Sequence, residues 1–186
     1  MDSLSPRSGK TSSIVLVLGG ARSGKSRFAE SLFADRAGRR IYLATGEAGD
    51  EEMRQRILHH RARRGDGWRT IEAPLDLPAA IADAGDDAVL VDCLTLWLSN
   101  LMAAGRDIEE ATSTLCRALD RARAPVVLVS NETGLGIVPD NALAREFRDR
   151  AGWLNQAMAA KADRVFFIAA GLPLTLKDNA AKDNAA

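Results

Sequence analysis

The residues from Ile14 to Ser26 constrain this chain more than any other stretch. They read Ile-Val-Leu-Val-Leu-Gly-Gly-Ala-Arg-Ser-Gly-Lys-Ser, an apolar run that leads into a glycine-rich turn and then a helical pattern. The frame from Gly19 to Ser26 fits G-x-x-x-x-G-K-[ST], the P-loop pattern. Glycines let backbone N–H groups approach phosphate oxygens, Lys25 can bridge the terminal phosphates, and the Ser26 hydroxyl can hold Mg²⁺. The sequence therefore predicts a nucleotide site rather than a chance glycine-rich turn.

Bulk properties narrow the class of protein further. The chain has 186 residues, with 25 basic and 25 acidic side chains, so nothing calls for nucleic acid or an anionic membrane as a partner. The apolar stretches are too short to span a bilayer, and the polar N-terminus has no signal-peptide core. Cys93 and Cys116 form neither a metal-type nor a redox-type spacing. We expect a cytoplasmic protein with a single domain.

Strand-like runs alternate with helical patterns along the chain, which indicates an α/β fold with a mostly parallel sheet and helices on both faces. Together with the P-loop, this predicts a single-domain, P-loop NTPase-like (RecA-like) architecture over residues 14 to 176. Residues 1 to 13 are predicted to be a flexible extension, and residues 177 to 186 a polar tail that repeats Lys-Asp-Asn-Ala-Ala. The predicted strands are 14–18, 40–44, 69–72, 88–92, 125–130, 164–169 and an edge strand at 173–176. The predicted helices are 25–37, 50–64, 77–83, 94–104, 108–123 and 141–161.

Ligands of such sheets bind beyond the carboxyl ends of the strands, so the residues that follow each strand are the candidates for function. Asp92 closes an apolar strand, and an acid in that place in P-loop proteins helps to hold Mg²⁺. The same carboxylate could instead cap the next helix. The loop from Asn131 to Gly136 follows another buried strand, and it is either part of the site or an ordinary turn into a helix.

The only histidines, His59 and His60, lie in the charged segment from Asp50 to Arg64, which also carries five arginines. A solvated helix face is one interpretation of this segment. The other is that the arginines grip phosphate oxygens while a neutral imidazole attacks phosphorus to give a phosphoramidate. Neighbours on a helix diverge by about 100°, so only one histidine can face a given ligand. Spacing alone does not decide which one.

Several blocks in a fixed order carry a more specific resemblance. They are Gly-Gly-Ala-Arg-Ser-Gly-Lys-Ser-Arg, Tyr-Leu-Ala-Thr-Gly, the Asp-Glu-Glu-Met-Arg-Gln-Arg-Ile-Leu-His-His run from Asp50, Trp-Arg-Thr-Ile-Glu, Val-Asp-Cys-Leu-Thr, and Ser-Asn-Glu-Thr-Gly-Leu-Gly-Ile-Val-Pro-Asp-Asn. With the later Arg-Asp-Arg-Ala-Gly-Trp-Leu-Asn-Gln block, the series resembles the bifunctional adenosylcobinamide kinase/adenosylcobinamide-phosphate guanylyltransferase family of cobalamin biosynthesis. The resemblance runs from about Val15 to Lys177.

The resemblance implies two reactions. ATP or GTP phosphorylates adenosylcobinamide, and GTP then transfers GMP to the phosphate through a guanylylated histidine, which falls on His59. It also implies Mg²⁺ held by Ser26 and Asp92, catalysis by His59 and Lys25, a homotrimer, and a cytoplasmic location. The implied nucleotide contacts are Gly19, Gly20, Ala21, Arg22, Ser23, Gly24, Lys25, Ser26, Thr45, Gly46, Glu47, His60, Arg61, Ala62, Arg63, Glu72 and Asp92.

Departures from the family pattern are small. Some members carry Glu where this chain has Asp92, and relatives often have Ser at the place of Gly46. Two other functions compete with this assignment. A plain small-molecule or nucleoside kinase would transfer phosphate without forming covalent GMP. A nucleotide-switch module would exchange partners, and it usually carries an Asn-Lys-x-Asp motif, which this chain lacks.

Overall fold

The computed structural model describes residue 4 and residues 12–46 and 67–179, and these form an α/β fold built on one seven-stranded sheet. The sheet order is β3-β2-β4-β5-β1-β6-β7, and every pairing is parallel except that of β6 with β7. The strands are β1 (Ile14–Gly19), β2 (Arg40–Ala44), β3 (Trp68–Glu72), β4 (Ala88–Asp92), β5 (Val126–Asn131), β6 (Arg164–Ala169) and β7 (Leu172–Asp178). The predicted fold class is confirmed.

The helices lie on both faces of this sheet, as predicted. They are α1 (Lys25–Ser31), α2 (Leu77–Asp83), α3 (Leu94–Ala103), α4 (Ile108–Arg121) and α5 (Ala142–Lys161). α1 is six residues shorter than the predicted helix, because the chain tightens after Ser31 into i→i+3 bonds such as Ala34 N–H to Ser31 O, 3.1 Å. The Arg40 guanidinium donates a hydrogen bond to the Phe33 carbonyl at 3.2 Å. The predicted charged helix over 50–64 lies outside the described residues.

Two apolar layers hold the helices to the sheet, and alternation along the strands decides which residue enters which layer. On the α1 side, Val15 and Val17 of β1 pack with Ala29 and Phe33. On the opposite side, residues such as Leu16 and Leu128 pack with α2, α3, α4 and α5. Because both faces are covered, the central strands are apolar throughout, as buried parallel strands require. Each fully buried leucine contributes about 1.5–3 kcal/mol of transfer free energy.

The ends of the domain are tied to the sheet. Ser13 O accepts from Val126 N–H at 3.0 Å, and Ser12 Oγ donates to Ala122 O at 2.8 Å. At the other end, β7 runs two residues past the predicted edge strand, and Asn179 N–H bonds Asp163 O at 3.0 Å. No helix among the described residues has both the length and the apolar character that a bilayer crossing requires.

A two-residue turn joins β6 to β7. Ala170 and Gly171 both have positive φ, 51° and 81°, as a tight hairpin turn that matches the strand twist requires. The Gly171 N–H donates to Ser23 O at 2.9 Å. The hairpin turn therefore packs against the glycine-rich loop after β1, and it supports that loop from the side away from β5.

Candidate functional site

The predicted site residues that the structure describes lie along one edge of the sheet, where the parallel strands end. Gly19 ends β1 and is the register partner of Asn131 at the end of β5, while Ala44 pairs with both Asp92 and Glu72. In sheet order the edge presents β3, β2, β4, β5 and β1. Four strand spacings of about 4.8 Å make this edge about 19 Å wide. A nucleoside triphosphate can lie along it.

The loop after β1 has the positive φ angles that its glycines predict. Gly19 and Gly24 have φ of 150° and 100°, in the region that favours glycine. A Cβ on Gly19 would run into the Ile168 carbonyl and would lie 2.8 Å from Ser23 Oγ, whereas a Cβ on Gly20 would meet nothing within 4 Å. Ala21 and Arg22 are exposed at the tip of the loop. The loop is thus closely packed at its base and open at its tip, where phosphate would enter.

Lys25 begins α1 and is 7% exposed. Its Nζ donates to Gly20 O at 2.6 Å, so the ammonium lies inside the loop. Burial lowers the pKa of Lys25, while the nearby Cys93 thiol and Asp92 carboxylate act in the opposite direction. A buried ammonium that rests on a neutral carbonyl gains a charged partner when phosphate binds. This arrangement is therefore suited to an anionic ligand.

Asp92 ends β4 on the same side of the sheet as α1. Its Oδ2 accepts a hydrogen bond from the Tyr42 hydroxyl at 3.0 Å, and the Tyr42 ring lies edge-on to Trp68 at 6.4 Å. The alternative role of Asp92 as a helix cap is not seen, because Cys93 is the N-cap of α3 and no side chain bonds there. The Asp92–Cys93 peptide bond is cis.

The oxygens of Asp92 and Ser26 suit Mg²⁺, which prefers hard oxygen donors. Both side chains are half-buried, and one Asp92 oxygen is already held in place by Tyr42. In nucleotide sites Mg²⁺ takes one or two protein ligands, and phosphate oxygens and water supply the rest. No cluster of three or more His, Cys, Asp or Glu side chains occurs within the ranges 12–46 and 67–179. A site of the nucleotide type needs no such cluster.

The segment after β2 is held by its own Thr45 side chain and by the side chain of Asn100. Thr45 is fully buried; its Oγ1 donates to Cys93 O at 2.7 Å and accepts from Cys93 N–H at 2.8 Å. Asn100 of α3 donates to Thr45 O at 2.7 Å and to Pro74 O at 3.1 Å. Thr45 is therefore committed to fixing the end of β4, so its hydroxyl is an organiser of the site. Gly46 is next to it and is half-exposed.

A second polar chain joins α3, β5 and α5. Asn131 Nδ2 donates to Thr95 Oγ1 at 2.8 Å, Thr95 Oγ1 contacts Cys93 Sγ at 3.1 Å, and Asn155 Nδ2 donates to Asn131 O at 3.2 Å. Burial raises the pKa of the Cys93 thiol, with the Asp92 carboxylate as the second cause. Cys93 is thus a small buried residue, as its apolar surroundings in the sequence predict.

Glu72 ends β3 and is exposed, two strands away from Asp92 and four from the P-loop strand. It can contact only a part of the ligand that is remote from the phosphates. The remaining predicted contacts lie outside the described residues, and so does the predicted nucleophile. These residues are Glu47, His59, His60, Arg61, Ala62 and Arg63, and their roles stay predictions.

Sequence reasoning did not identify the residues that hold the site together. Tyr42, Thr95, Asn100 and Asn155 act through contacts that are distant in sequence, 50 residues apart for Tyr42 and Asp92. A partial signal was present for Tyr42, because alternation places it on the same face as Ala44, which pairs with Asp92. For Asn131, the sequence predicts only a place in a candidate loop and no role of its own.

Comparisons with known proteins show which family this chain resembles. The family model described as cobinamide kinase / cobinamide phosphate guanyltransferase matches residues 15–176. The bifunctional adenosylcobalamin biosynthesis protein CobP of Pseudomonas aeruginosa is 50% identical over 167 residues, which is 87% of this chain and 96% of that protein. CobU of Salmonella typhimurium is 44% identical over 181 residues, covering 88% of this chain and 99% of the relative.

Among solved structures, the chain is similar to a prototypical ATPase from the type III secretion system of pathogenic bacteria. The TM-score is 0.60 at 11% identity, over 92% of this chain and 58% of that chain. At this identity the similarity concerns the fold alone, and it agrees with the P-loop NTPase-like architecture that the sequence predicts. The match of the family model over most of the chain, and the identity to full-length relatives, show that this chain belongs to the cobinamide kinase / cobinamide phosphate guanyltransferase family.

Proposed function

We propose that one nucleotide pocket at the carboxyl edge of the sheet performs both reactions of the family, with Lys25 on the phosphates and His59 as the guanylyl carrier. The observation that supports it most directly is the convergence of three features at this edge. The glycine-rich loop that follows β1 holds the Lys25 ammonium, and β4 ends in the Asp92 carboxylate that Tyr42 holds. β5 lies between these two strands and ends in the Asn131 amide. Phosphoryl transfer depends mainly on this kind of positioning and charge stabilisation.

In the kinase step, the hydroxyl oxygen of adenosylcobinamide bonds to the γ-phosphorus of ATP or GTP. The bond from the γ-phosphorus to the bridging oxygen breaks, the nucleoside diphosphate leaves with the electron pair, and the hydroxyl proton passes to solvent. Lys25 stabilises charge on the β- and γ-phosphates. Ser26 and Asp92 are the residues that would hold Mg²⁺, which neutralises phosphate charge when it is bound.

In the guanylyl step, the imidazole nitrogen of His59 bonds to the α-phosphorus of GTP and pyrophosphate leaves. The phosphate oxygen of adenosylcobinamide phosphate then displaces the histidine, which gives adenosylcobinamide-GDP. The covalent intermediate divides one two-substrate reaction into two displacements. The choice of His59 over His60 rests on the family resemblance. We further propose that Glu47, His60, Arg61, Ala62, Arg63 and Glu72 contact the GTP.

We also propose that the enzyme is a homotrimer. Large apolar side chains that are exposed in the single chain support a homo-oligomer, with Ile137 98% and Leu135 81% exposed. Leu135, Ile137 and Val138 lie close together in one loop, and exposed apolar residues that are grouped mark an interaction site on a protein surface. Sedimentation equilibrium tests the number of subunits. A mass of three chains is expected, and Ile137→Asp is expected to reduce it.

Covalent labelling tests the function. Protein incubated with GTP labelled at the α-phosphate is expected to retain label that resists alkali and is released by acid, as a phosphoramidate does. His59→Ala is expected to abolish the label, and the matched His60→Ala to retain the alkali-stable bond. Kinase activity is expected to survive His59→Ala and to be lost in Lys25→Ala. Normal labelling of His59→Ala would refute His59 as the nucleophile. If the wild-type protein took up no label, the function that remained would be that of a plain kinase, which forms no covalent GMP.

A further inference from the structure

A groove of about 720 Å³ lies between α3, α4 and α5, and none of the predicted nucleotide contacts lines it. Its lining includes four apolar side chains and two guanidinium groups, namely Met102, Ile108, Leu143, Phe147, Arg106 and Arg150. A concave site of this size, with apolar walls and a few polar groups, is typical of sites that bind small organic ligands.

Two contacts place the walls of the groove at the carboxyl end of the sheet. Asn155 Nδ2 donates to the carbonyl of Asn131, the last residue of β5, at 3.2 Å. The part of α5 before Asn155, residues 142–154, is about 20 Å long at 1.5 Å per residue. Because α5 leads from the end of β5 back to the start of β6, this part lies beyond the end of β5. Asn100 of α3 donates to Thr45 O at 2.7 Å, so α3 lies at the same end, where the nucleotide site also opens.

The walls of the groove are held in place by the ends of the three helices. The last turn of α3 closes at Gly105, which has a φ of 62° and donates to Met102 O at 3.1 Å. The Asp107 side chain caps α4 by accepting from two N–H groups of its first turn, at 2.9 and 3.0 Å. At the start of α5, Arg145 Nη1 donates to Asp140 O at 2.7 Å. A groove that is already formed loses little conformational entropy when a ligand enters it.

The charges of the groove suit an acceptor that becomes a phosphate ester. Arg150 is paired with Glu146 at 2.7 Å, and the Arg106 guanidinium is exposed. A second cavity, of about 540 Å³, is lined by four carboxylates and one guanidinium, and it follows β3, four strands away from β1. Carboxylates repel a phosphate ester, so the groove between α3, α4 and α5 fits such an acceptor better in both charge and position.

Adenosylcobinamide matches this groove in its chemistry. Its corrin macrocycle is a broad apolar body with amide side chains around it, and the hydroxyl that is phosphorylated ends a flexible, amide-linked arm. Leu143 is 66% exposed and Phe147 is half-buried, so both can contact the macrocycle, and covering them removes apolar surface from water. The N–H groups of Arg106 can donate to the carbonyl oxygens of the amides.

We propose that the groove between α3, α4 and α5 binds the corrin macrocycle of the acceptor in both reactions, with Leu143 and Phe147 against the macrocycle and Arg106 on its amide carbonyls. This inference rests on the proposed function, because it names the place where the acceptor of that function binds. The groove residues touch the substrate away from the reacting phosphorus. They therefore set the affinity and position of the acceptor and take no part in bond making.

The two reactions make this role testable, because only some of their steps use the acceptor. Phosphorylation of adenosylcobinamide and transfer of GMP to adenosylcobinamide phosphate both require it. Attachment of GMP from GTP to the protein does not. Damage to the groove thus raises the KM for the acceptor in both reactions and leaves the rate of covalent labelling by GTP unchanged. A defect in the nucleotide site or in the fold lowers the labelling rate as well.

The experiment uses full-length variants of two exposed groove residues, at which substitution is expected to preserve the fold. Leu143→Asp places a charge that the macrocycle must bury, and the KM for adenosylcobinamide and for its phosphate is expected to rise about tenfold or more. Arg106→Ala is expected to raise both about threefold or more, through loss of hydrogen bonds. The matched control is Leu174→Asp on β7, where the leucine is 59% exposed, and both KM values are expected to stay at the wild-type level.

Equilibrium dialysis with adenosylcobinamide, without nucleotide, measures the same loss as a dissociation constant, and sedimentation equilibrium measures the oligomer mass. A rise of about fivefold or more in both KM values for Leu143→Asp, with labelling by GTP within about twofold of the wild type, supports the inference, and any other combination overturns it. A lower oligomer mass with an unchanged dissociation constant would assign the groove to a contact between copies of the chain. Wild-type protein that takes up no label and phosphorylates no adenosylcobinamide refutes the proposed function itself, whereas an active wild type with unaffected variants removes only the role of the groove.

Discussion

The Tyr42 hydroxyl donates to Asp92 Oδ2 at 3.0 Å, across two neighbouring strands of the sheet. Tyr42 is buried, and its ring is held edge-on by Trp68, which in turn meets Phe33 at 5.1 Å between ring centres. The position of the Asp92 carboxylate is therefore set by a tyrosine that packs in an edge-to-face aromatic cluster. For Asp92 as the proposed Mg²⁺ ligand, a group that orients the carboxylate in this way contributes strongly to metal affinity.

Tyr42→Phe is expected to weaken the response of the kinase to Mg²⁺. The phenyl ring keeps the packing against Trp68 but loses the bond to Asp92, so the carboxylate is less well oriented. The Mg²⁺ concentration for half-maximal rate is expected to rise about tenfold, the lower end of the range for lost orienting partners. A Mg²⁺ titration of the initial rate measures it. Asp92→Asn serves as the reference for loss of the ligand, and an unchanged half-maximal concentration in Tyr42→Phe would contradict the role.

Gly19→Ala and Gly20→Ala form a matched pair in the glycine-rich loop. Gly19 has a φ of 150°, and a methyl group added there would collide with the Ile168 carbonyl. A methyl group added at Gly20 would meet nothing within 4 Å. Gly19→Ala is expected to lower the free energy of unfolding by about 1–3 kcal/mol and to abolish nucleotide binding. Gly20→Ala is expected to fold with wild-type stability. Urea denaturation and nucleotide titration measure both quantities, and equal stability of the two variants would contradict the packing described.

The sequence predicted the fold closely wherever local pattern decides structure. β2, α2, β4 and β6 begin and end where the apolar patterns and flanking residues place them. The predicted end of α1 was wrong because the chain tightens after Ser31 into i→i+3 bonds, a change that the apolar pattern does not encode. The same limit applies to the site. The P-loop and Asp92 follow from motif and strand position, but Thr95 and Asn131 meet only because the sheet order brings their elements together.

The lowered pKa of Lys25 predicts that nucleotide affinity falls at alkaline pH. In the free protein, burial holds this pKa below its ordinary value of 10.5, and a bound triphosphate raises it by charge attraction. A group whose pKa is higher in the bound state contributes fully to binding below its free-state pKa. That contribution is lost as the pH rises through the bound-state pKa. Binding therefore takes up protons on the alkaline side.

Titration calorimetry in buffers of different ionisation enthalpy measures this proton uptake. Lys25→Arg is the control, because a guanidinium stays protonated over the whole range. Its affinity is expected to be weaker, since the fork fits the loop less well, but to show a flatter dependence on alkaline pH. The same proton uptake in Lys25→Arg and wild type would assign the effect to another group.

Asn100 ties the nucleotide edge of the sheet to the loop after β3, and its removal is expected to destabilise both. Its single amide nitrogen satisfies the carbonyls of Thr45 and Pro74, at 2.7 and 3.1 Å. Asn100→Ala leaves these two acceptors without their partner, which costs about 1–3 kcal/mol. The KM for GTP is expected to rise as well, because Thr45 holds the end of β4 beside Asp92. Ser99→Ala, at an exposed neighbouring position, is the control and is expected to match the wild type in urea denaturation and in KM. Equal midpoints for the two variants would mean that α3 holds this edge by apolar packing alone.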